Sequence, residues 1–267
     1  KDVLKISGDL SYLFARNKRE RVTNMYTGYR GPDTPITVNE SQGSTLENLR
    51  QDTNYLSSNI YGEYTPKLGD DHTLKLLAGW NLETKKYRGT TIKREGLTVP
   101  SKPSFGLMDG LTSDPVASGY DWSYVGAFFR ANYGYQGKYL AEFSCRYDGS
   151  SKFLPKNRWN FFWGASAGWR ITEEKFMENL RDYVNELKLR ASYGEVGNQN
   201  GIGRYDGIQL YNYKSNSGAL LGNSKGTYVE SAGLVSTVRT WERIYNYNLG
   251  IDFGFFNNRF TGTFEIF

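Results

Sequence analysis

The sequence has few of the residues on which most enzymatic and metal sites depend. Its 267 residues include a single cysteine, Cys145, and a single histidine, His72. One cysteine excludes an internal disulfide and a cysteine-based metal cluster, and a Ser-His-Asp triad would have to use His72. The adjacent carboxylates Glu173 and Glu174 lie at a predicted helix start rather than in a pocket, so a glycosidase site has no basis. We therefore predict no enzymatic activity and no catalytic, cofactor or metal site.

Long hydrophobic runs are missing as well. No stretch of about 18 apolar residues is present, so the sequence predicts no transmembrane helix. No signal peptide is visible at Lys1, and the first residues already alternate like a strand, so we expect the chain to begin inside a larger protein. The net charge of +5 is spread along the chain without a Lys/Arg block, which argues against a nucleic-acid partner.

Aromatic residues and glycines are what the sequence has in abundance. The chain contains 21 Tyr, 15 Phe and 6 Trp, with 30 Gly among them. Tyrosine and tryptophan suit positions where one end of the side chain is apolar and the other is wet. Many short strands joined by Gly-rich turns have the same composition, which favours an all-β fold.

Apolar and polar residues alternate from one end of the chain to the other. In residues 73–83, for example, Leu76, Ala78 and Trp80 lie opposite Lys75 and Asn81. We predict nine strands, at residues 3–14, 55–64, 73–83, 125–133, 139–148, 163–171, 186–193, 245–253 and 260–267.

The lengths of the connections decide between possible all-β folds. Short connections at residues 65–71, 136–138, 172–183 and 256–259 alternate with long ones at residues 15–53, 84–123, 149–158 and 195–239. Outer-membrane barrels have short periplasmic turns and longer extracellular loops, whereas a soluble sandwich has no reason for this alternation. We therefore predict an antiparallel transmembrane β-barrel segment, crossing the bacterial outer membrane several times and contacting its lipid.

Aromatic residues gather at both ends of the predicted strands, as the two interfaces of a membrane would select. Near the long loops lie Tyr12, Phe14, Trp80, Tyr124, Tyr147, Trp159, Tyr193 and Trp241, and near the short turns lie Tyr64, Tyr133, Tyr135, Tyr139, Trp169, Phe253 and Phe260. One short connection, residues 172–180, predicts one or two helical turns. Thr172 is its expected cap, and Phe176, Met177 and Leu180 form an apolar stripe.

Two groups of residues are candidates for binding. Charged residues on the polar strand faces, such as Arg130, Glu142 and Arg190, are expected mainly to neutralise opposite charges on neighbouring strands. The long loops are the better candidates for contacts with cargo or a partner. Their aromatic residues could stack on sugar rings or pack on a lid, or equally hold the loops together; these residues are Tyr120, Trp122, Tyr211 and Tyr213.

Four sequence strings resemble one protein family in their order and spacing. They are YLAEFSCRYDGSSKF at residues 139–153, NRWNFFWGASAGWRITEEKF at 157–176, NELKLRASYGEVGN at 185–198 and YNLGIDFGFFNNRFTGTF at 247–264. Together they resemble the C-terminal half of the barrel of SusC/RagA-type TonB-linked transporters of Bacteroidetes. The resemblance covers residues 124–267 well and the preceding residues more loosely.

The resemblance implies a larger machine than this chain. Residues 1–267 would be part of a plugged barrel of about 22 strands, and the signal peptide, plug and remaining strands would lie elsewhere. A SusD-like surface lipoprotein would cover the barrel, and TonB would act on the plug. The cargo would be an oligosaccharide or a peptide, imported as a nutrient. Two alternatives remain open: a surface-display or adhesin barrel that transports nothing, and a soluble carbohydrate-binding β-sandwich.

Overall fold

The structure is a computed structural model that describes residues 3–38, 43–214 and 218–267. Its strands are β1 (Leu4–Thr23), β2 (Tyr26–Tyr29), β3 (Pro35–Val38), β4 (Thr45–Tyr64), β5 (His72–Glu95), β6 (Val116–Tyr135), β7 (Tyr139–Ser150), β8 (Trp159–Arg170), β9 (Val184–Asn198), β10 (Tyr211–Lys214), β11 (Leu220–Leu221), β12 (Ser224–Lys225), β13 (Tyr228–Ser231), β14 (Glu242–Phe255) and β15 (Phe260–Ile266). Short 3-10 helices cover Phe105–Leu107, Pro155–Asn157, Ile171–Glu173 and Lys175–Leu180.

Nine strands form one sheet in the order β1-β4-β5-β6-β7-β8-β9-β14-β15. The remaining strands form three two-stranded hairpins, β2-β3, β10-β13 and β11-β12. Each strand of the large sheet therefore follows its neighbour along the chain, apart from the small hairpins inserted between them. This confirms the nine predicted strands and the all-β barrel sheet, and it differs from a sandwich of two packed sheets. Among the described residues, no helix is both long and apolar enough to cross a membrane.

The register of the sheet separates a polar face from an apolar face. Glu142 of β7 lies opposite Asn132 of β6 and Ser166 of β8, whereas its neighbour Phe143 lies opposite Ala131 and Ala165. The apolar face is left uncovered: Phe143 is 41% exposed, and Phe264 on β15 is 61% exposed. An exposed apolar face of this extent is what a lipid-facing barrel wall requires.

Several strands are longer than the sequence predicted. Residues 15–53 were expected to be one loop, but β1 continues to Thr23 and β4 begins at Thr45. Likewise, β5 and β6 together occupy half of the predicted loop 84–123. The connections left between these strands are residues 24–44, which include the β2-β3 hairpin and residues 39–42 outside the described part, and residues 96–115. The alternation of short and long connections holds from β1 to β7 and again after β9, but it fails between β7 and β9, where residues 151–158 are fewer than residues 171–183.

The chain divides into two compact units. One unit consists of Ser11–Leu56 and Thr84–Asp121, and its core contains the buried residues Leu46, Leu97 and Met108. The backbone N–H of Leu97 donates to the Ser44 hydroxyl over 2.8 Å, which ties the connection after β5 to the start of β4. The other unit consists of Lys1–Leu10, Ser57–Glu83 and Trp122–Phe267.

The short connection between β6 and β7 has the backbone geometry that a tight turn needs. Gln136 and Gly137 both have positive φ, 50° and 66°, as in the two-residue hairpins that match strand twist.

Residues 171–180 form 3-10 rather than α-helical turns, which confirms helical structure there. Thr172 does not cap a helix, because it lies inside Ile171–Glu173 and is 3% exposed. Of the predicted apolar stripe, Met177 is buried, whereas Phe176 and Leu180 are exposed.

Candidate cargo-facing wall

Charged residues on the polar face are paired across neighbouring strands. Lys75 Nζ lies 2.6 Å from Glu63 Oε2, and Arg130 Nε lies 3.8 Å from Glu142 Oε1. These pairs join strands that are adjacent in the sheet. Glu142 on β7 and Arg190 on β9 are separated by β8 and belong to different pairs. The expectation that opposite charges on neighbouring strands neutralise one another therefore agrees with the geometry.

Arg190 links three strands at one edge of the sheet. Its Nε lies 3.3 Å from Asp252 Oδ2 on β14, and its Nη1 lies 3.1 Å from Glu265 Oε1 on β15. The amide of Asn248 also donates to Glu265. Gly250 leaves room for this arrangement, since a Cβ there would lie 2.9 Å from Arg190 Nε. Two carboxylates thus surround the Arg190 guanidinium, and Lys188 lies directly opposite Asp252 in the sheet.

Arg146 is the centre of a second polar network, nearer the long-loop end of the strands. It donates from Nε to Asp148 Oδ2 over 3.1 Å and from Nη2 to Asn81 Oδ1 and the Tyr124 hydroxyl, both over 3.0 Å. Asp148 is only 5% exposed, and the guanidinium lies 5.4 Å from the centre of the Phe128 ring. The pairing of a buried carboxylate with an arginine offsets the cost of its desolvation.

A cavity of about 670 Å³ opens on the polar face nearer the short turns. Its lining combines apolar residues such as Leu74 and Leu140 with the polar residues Lys75, Asn132, Glu142, Ser166, Lys188 and Ser192. The Asn132 side-chain oxygen is buried without a hydrogen-bond partner among the described residues. The cavity therefore presents donors and acceptors of both charges, a chemistry suited to sugar hydroxyls, peptide groups or another polar segment of protein.

Two of the predicted contact residues, Tyr120 and Trp122, lie within β6 rather than in a loop. The ring of Tyr120 stacks on Tyr87 with a centroid distance of 4.9 Å, and the Tyr87 hydroxyl accepts a hydrogen bond from Gln51 over 2.8 Å. Tyr120 and Trp122 are both half-buried. Strand alternation places them on the same face of β6 as Tyr124. A role in packing and a role in binding both remain compatible with these positions.

The other two predicted residues, Tyr211 and Tyr213, share one face of the β10-β13 hairpin. They lie opposite Ser231 and Val229, and their side chains are 68% and 70% exposed. The other face of the hairpin carries an ion pair between Lys214 and Glu230, with 3.6 Å between Nζ and Oε1. The two tyrosines are therefore exposed together on the long connection between β9 and β14, whereas Tyr120 and Trp122 lie on β6.

The long connection between β9 and β14 is attached to the wall by contacts that the sequence does not predict. The Ser150 hydroxyl, 1% exposed, donates to Gln199 Oε1 over 2.6 Å. Trp241 was predicted at a membrane interface, but it is 5% exposed and packs between Phe153 and Phe162, with its indole N–H donating to the Arg158 carbonyl. An aromatic residue at a strand end can lie at a membrane interface or pack beneath a loop, and only its contacts distinguish the two roles.

At the short-turn end, one carboxylate holds two aromatic residues. Glu174 accepts hydrogen bonds from the Tyr139 hydroxyl over 2.6 Å and from the Trp169 indole N–H over 3.1 Å. Lys138 Nζ lies 3.5 Å from the same carboxylate. The Tyr139 hydrogen bond, followed by those from Trp169 and Lys138, lowers the pKa of Glu174 below its ordinary value, against the opposing effect of desolvation. Tyr139 and Trp169 are directly opposite each other in the sheet.

Comparison with known proteins assigns this two-faced sheet to a family. The family described as "TonB dependent receptor-like, beta-barrel" matches residues 3–267. TonB-dependent receptor P26 of Formosa agariphila is 28% identical over 262 residues, covering 92% of this chain and 24% of the relative. TonB-dependent receptor SusC of Bacteroides thetaiotaomicron is 35% identical over 146 residues, covering 52% of this chain and 14% of the relative. The chain thus spans about a quarter of the first of these relatives and less of the second.

Solved structures share the fold. The RagAB peptide importer in its "open-open" state matches with a TM-score of 0.72 and 20% identity, over 98% of this chain and 27% of that one. The RagAB peptide transporter matches with a TM-score of 0.67 and 24% identity, over the same shares of the two chains. At these identities the similarity concerns the path of the backbone.

Proposed function

Because this chain belongs to the TonB-dependent receptor-like β-barrel family of the bacterial outer membrane, we propose that it forms part of the wall of a nutrient importer. The resemblance to SusC/RagA-type transporters read from the sequence is confirmed by the family match and by SusC among the relatives. The proposal assigns to residues 1–267 the part of a barrel wall, in which lipid covers one face of the sheet and a polar lumen the other.

One observation carries the proposal: the same nine strands have an exposed apolar face and a charged, hydrogen-bonded polar face. Lumen polarity combined with a lipid-facing apolar band is the pattern of a transmembrane barrel that encloses water or protein. The polar face holds the cavity lined by Lys75, Glu142 and Lys188, together with the Arg146 network. Such a wall can form weak, replaceable hydrogen bonds with a hydrophilic cargo.

We further propose the partners that such a barrel would need. A SusD-like surface lipoprotein would sit over the ends with long connections, and TonB would supply energy through a plug that lies outside this chain. The cargo would be an oligosaccharide or a peptide. The exposed pair Tyr211 and Tyr213 supports a contact with cargo or lipoprotein, since exposed aromatic side chains suit either.

Uptake by the full-length protein tests the proposal. Cells that depend on this protein would be supplied with labelled oligosaccharides or labelled peptides, with and without an uncoupler of the proton gradient. The variant Ser192→Trp would place a large side chain on the polar face, and Ala191→Trp would place it on the apolar face one residue away. We expect uptake that requires the proton gradient and is reduced more by Ser192→Trp, with equal amounts of both variants in the membrane.

The adhesin or surface-display barrel is the competing outcome. A barrel of that kind would sit in the same membrane, yet neither labelled nutrient would enter and the uncoupler would have no effect. If import were observed but the two tryptophan variants took up equal amounts, the polar face of β9 would not line the transport path.

A further inference from the structure

The apolar face of β1 becomes basic beyond its last aromatic residues. Tyr12 and Phe14 are 65% and 48% exposed, and the next residues on the same face are Arg16 and Lys18. The guanidinium of Arg16 lies 5.1 Å from the centre of the Phe14 ring. Exposed tyrosine and phenylalanine at the point where the continuous apolar residues of a strand face end mark the level where a barrel leaves the hydrocarbon. The basic residues therefore begin at the level of the lipid headgroups.

Contacts place residues of β4 on this face. The Tyr12 hydroxyl donates to Asn54 Oδ1 over 2.7 Å, and Arg16 Nε lies 2.6 Å from Asp52 Oδ1. Arg50 Nη2 lies 3.1 Å from the other oxygen of Asp52. Asn54, Asp52 and Arg50 alternate along β4, so they occupy one face with Tyr12 and Arg16.

Residues of β5 and β6 extend the same face. Gln51 is next to Arg50 on β4, so its side chain points to the opposite face of the sheet, and there it donates a hydrogen bond to Tyr87 of β5. Lys86 and Arg88 flank Tyr87, so alternation places them on the same face as Arg50. Arg88 binds Asp121 on β6 with both Nη atoms, over 2.6 and 2.9 Å. The charge of Lys86 also acts on Asp121.

The resulting surface has an excess of positive charge. We call it the basic belt and define it by five residues: Arg16, Lys18, Arg50, Lys86 and Arg88. The two carboxylates among them are Asp52 and Asp121, and Glu20 follows Lys18 one alternation further along β1. All five cationic residues are exposed to solvent. Even with Glu20 counted, three carboxylates cannot neutralise five cations, so the surface attracts anions.

We propose that the basic belt binds the phosphate groups of lipids in the outer leaflet of the outer membrane. Guanidinium groups bind phosphate oxygens through two parallel hydrogen bonds, and lysine binds them as a point charge. Basic side chains at an anionic membrane surface each add to the attraction. The position directly beyond Tyr12 and Phe14, on the face that carries the lipid-facing residues of β1, favours a lipid over an acidic protein.

The test uses the full-length protein, purified in detergent, and two probes: lipid A and the same lipid A after removal of its phosphates. The amount of lipid bound is measured by native mass spectrometry over a range of lipid concentrations. The double variant Lys18→Gln/Lys86→Gln removes two cations of the belt. The matched control, Lys102→Gln/Lys156→Gln, removes two exposed cations elsewhere. We expect the belt variant to bind lipid A more weakly by about fivefold for each lysine, with no loss in the control.

Three outcomes would overturn the proposal. Equal binding of both forms of lipid A would assign the affinity to acyl chains. An equal loss in the control double variant would assign it to net charge. Absence of any bound lipid A in the unmodified protein would show that the belt serves another partner. Weakening of the interaction by added salt, confined to the phosphorylated form, would support it further.

Discussion

Gly126 on β6 shows how a position without a side chain shapes the polar face around it. A Cβ at this position would lie 2.3 Å from Asp148 Oδ1, 2.6 Å from Arg146 Nη2 and 2.7 Å from Asn81 Oδ1. The hydrogen-bond network of Arg146 thus occupies the space that any other residue would fill. The sequence marks Gly126 only as one glycine of a strand, because its neighbours across the sheet become known only with the register.

Substitution of this glycine should therefore disturb the network. In the full-length protein, Gly126→Ala is expected to lower the free energy of unfolding by about 1–3 kcal/mol, as overpacking of a filled site does. Gly194→Ala is the control, since a Cβ at Gly194 would have no atom within 4 Å. Urea unfolding in lipid vesicles, followed by tryptophan fluorescence, measures both. Equal free energies of unfolding for the two variants would show that the Arg146 network can move to accommodate a Cβ without loss of stability.

The two faces can also be tested at adjacent residues of β7. Phe143→Arg would place a charge on the apolar face, and Ser144→Arg would place it on the polar face, opposite Arg130 and Gly164. Arginine facing hydrocarbon near the membrane midplane should cost about 2–4 kcal/mol, and arginine facing a wet lumen much less. The same unfolding measurement compares them, and equal losses would contradict the assignment of faces.

At the scale of elements, sequence periodicity located the strands but underestimated some of them. The prediction for β7, residues 139–148, is two residues short of the observed Tyr139–Ser150. For β1 the prediction ends at residue 14, whereas the strand continues to Thr23. Beyond Phe14 both faces are polar, as Arg16 and Arg19 show, so no alternation remains to be detected. That part of the strand is held by cross-strand pairs such as Arg16 with Asp52.

The candidate site was predictable to a similar degree. The charged polar face followed from alternation, and the structure supplied the partners of Arg130 and Arg190. Burial of Trp241 could not be predicted, because it depends on a long connection folding back on Phe162. The same limit applies to Glu174, whose contacts with Tyr139 and Trp169 depend on the path of the short helical connection.

The short-turn element should respond to acid through Glu174. Because the folded-state pKa of this carboxyl is lowered, its contribution to stability is complete above the ordinary pKa of glutamate and is lost as the pH falls through the folded pKa. We expect the unmodified full-length protein to lose stability in this acidic range and Glu174→Gln to lose less. Thermal unfolding as a function of pH measures the difference. The control is Glu178→Gln, which changes an exposed glutamate in the same short helical connection. Parallel pH profiles for all three proteins would contradict the role of Glu174.

At the scale of the molecule, the sheet of the described residues has two open edges, β1 and β15. The chain covers about a quarter of the length of its relative TonB-dependent receptor P26, and we propose that it is one part of a larger closed barrel. Lipid offers no hydrogen-bond partner to the backbone of an edge strand, and bacterial barrels are closed for this reason. The lipid-facing residues, such as Leu249 and Phe264, likewise need hydrocarbon or detergent around them.

Residues 1–267 expressed alone should therefore fail to form a single soluble species. The unpaired edges of β1 and β15 and the uncovered apolar face both favour association between copies. We expect inclusion bodies, and after refolding in detergent a mixture of oligomers by light scattering, with β-sheet circular dichroism. The full-length protein, refolded in the same detergent, is the control and should give one species, because its edge strands have partners. A homogeneous folded monomer of residues 1–267 without detergent would contradict the proposal, because both edges and the apolar face would then have to be satisfied within this chain.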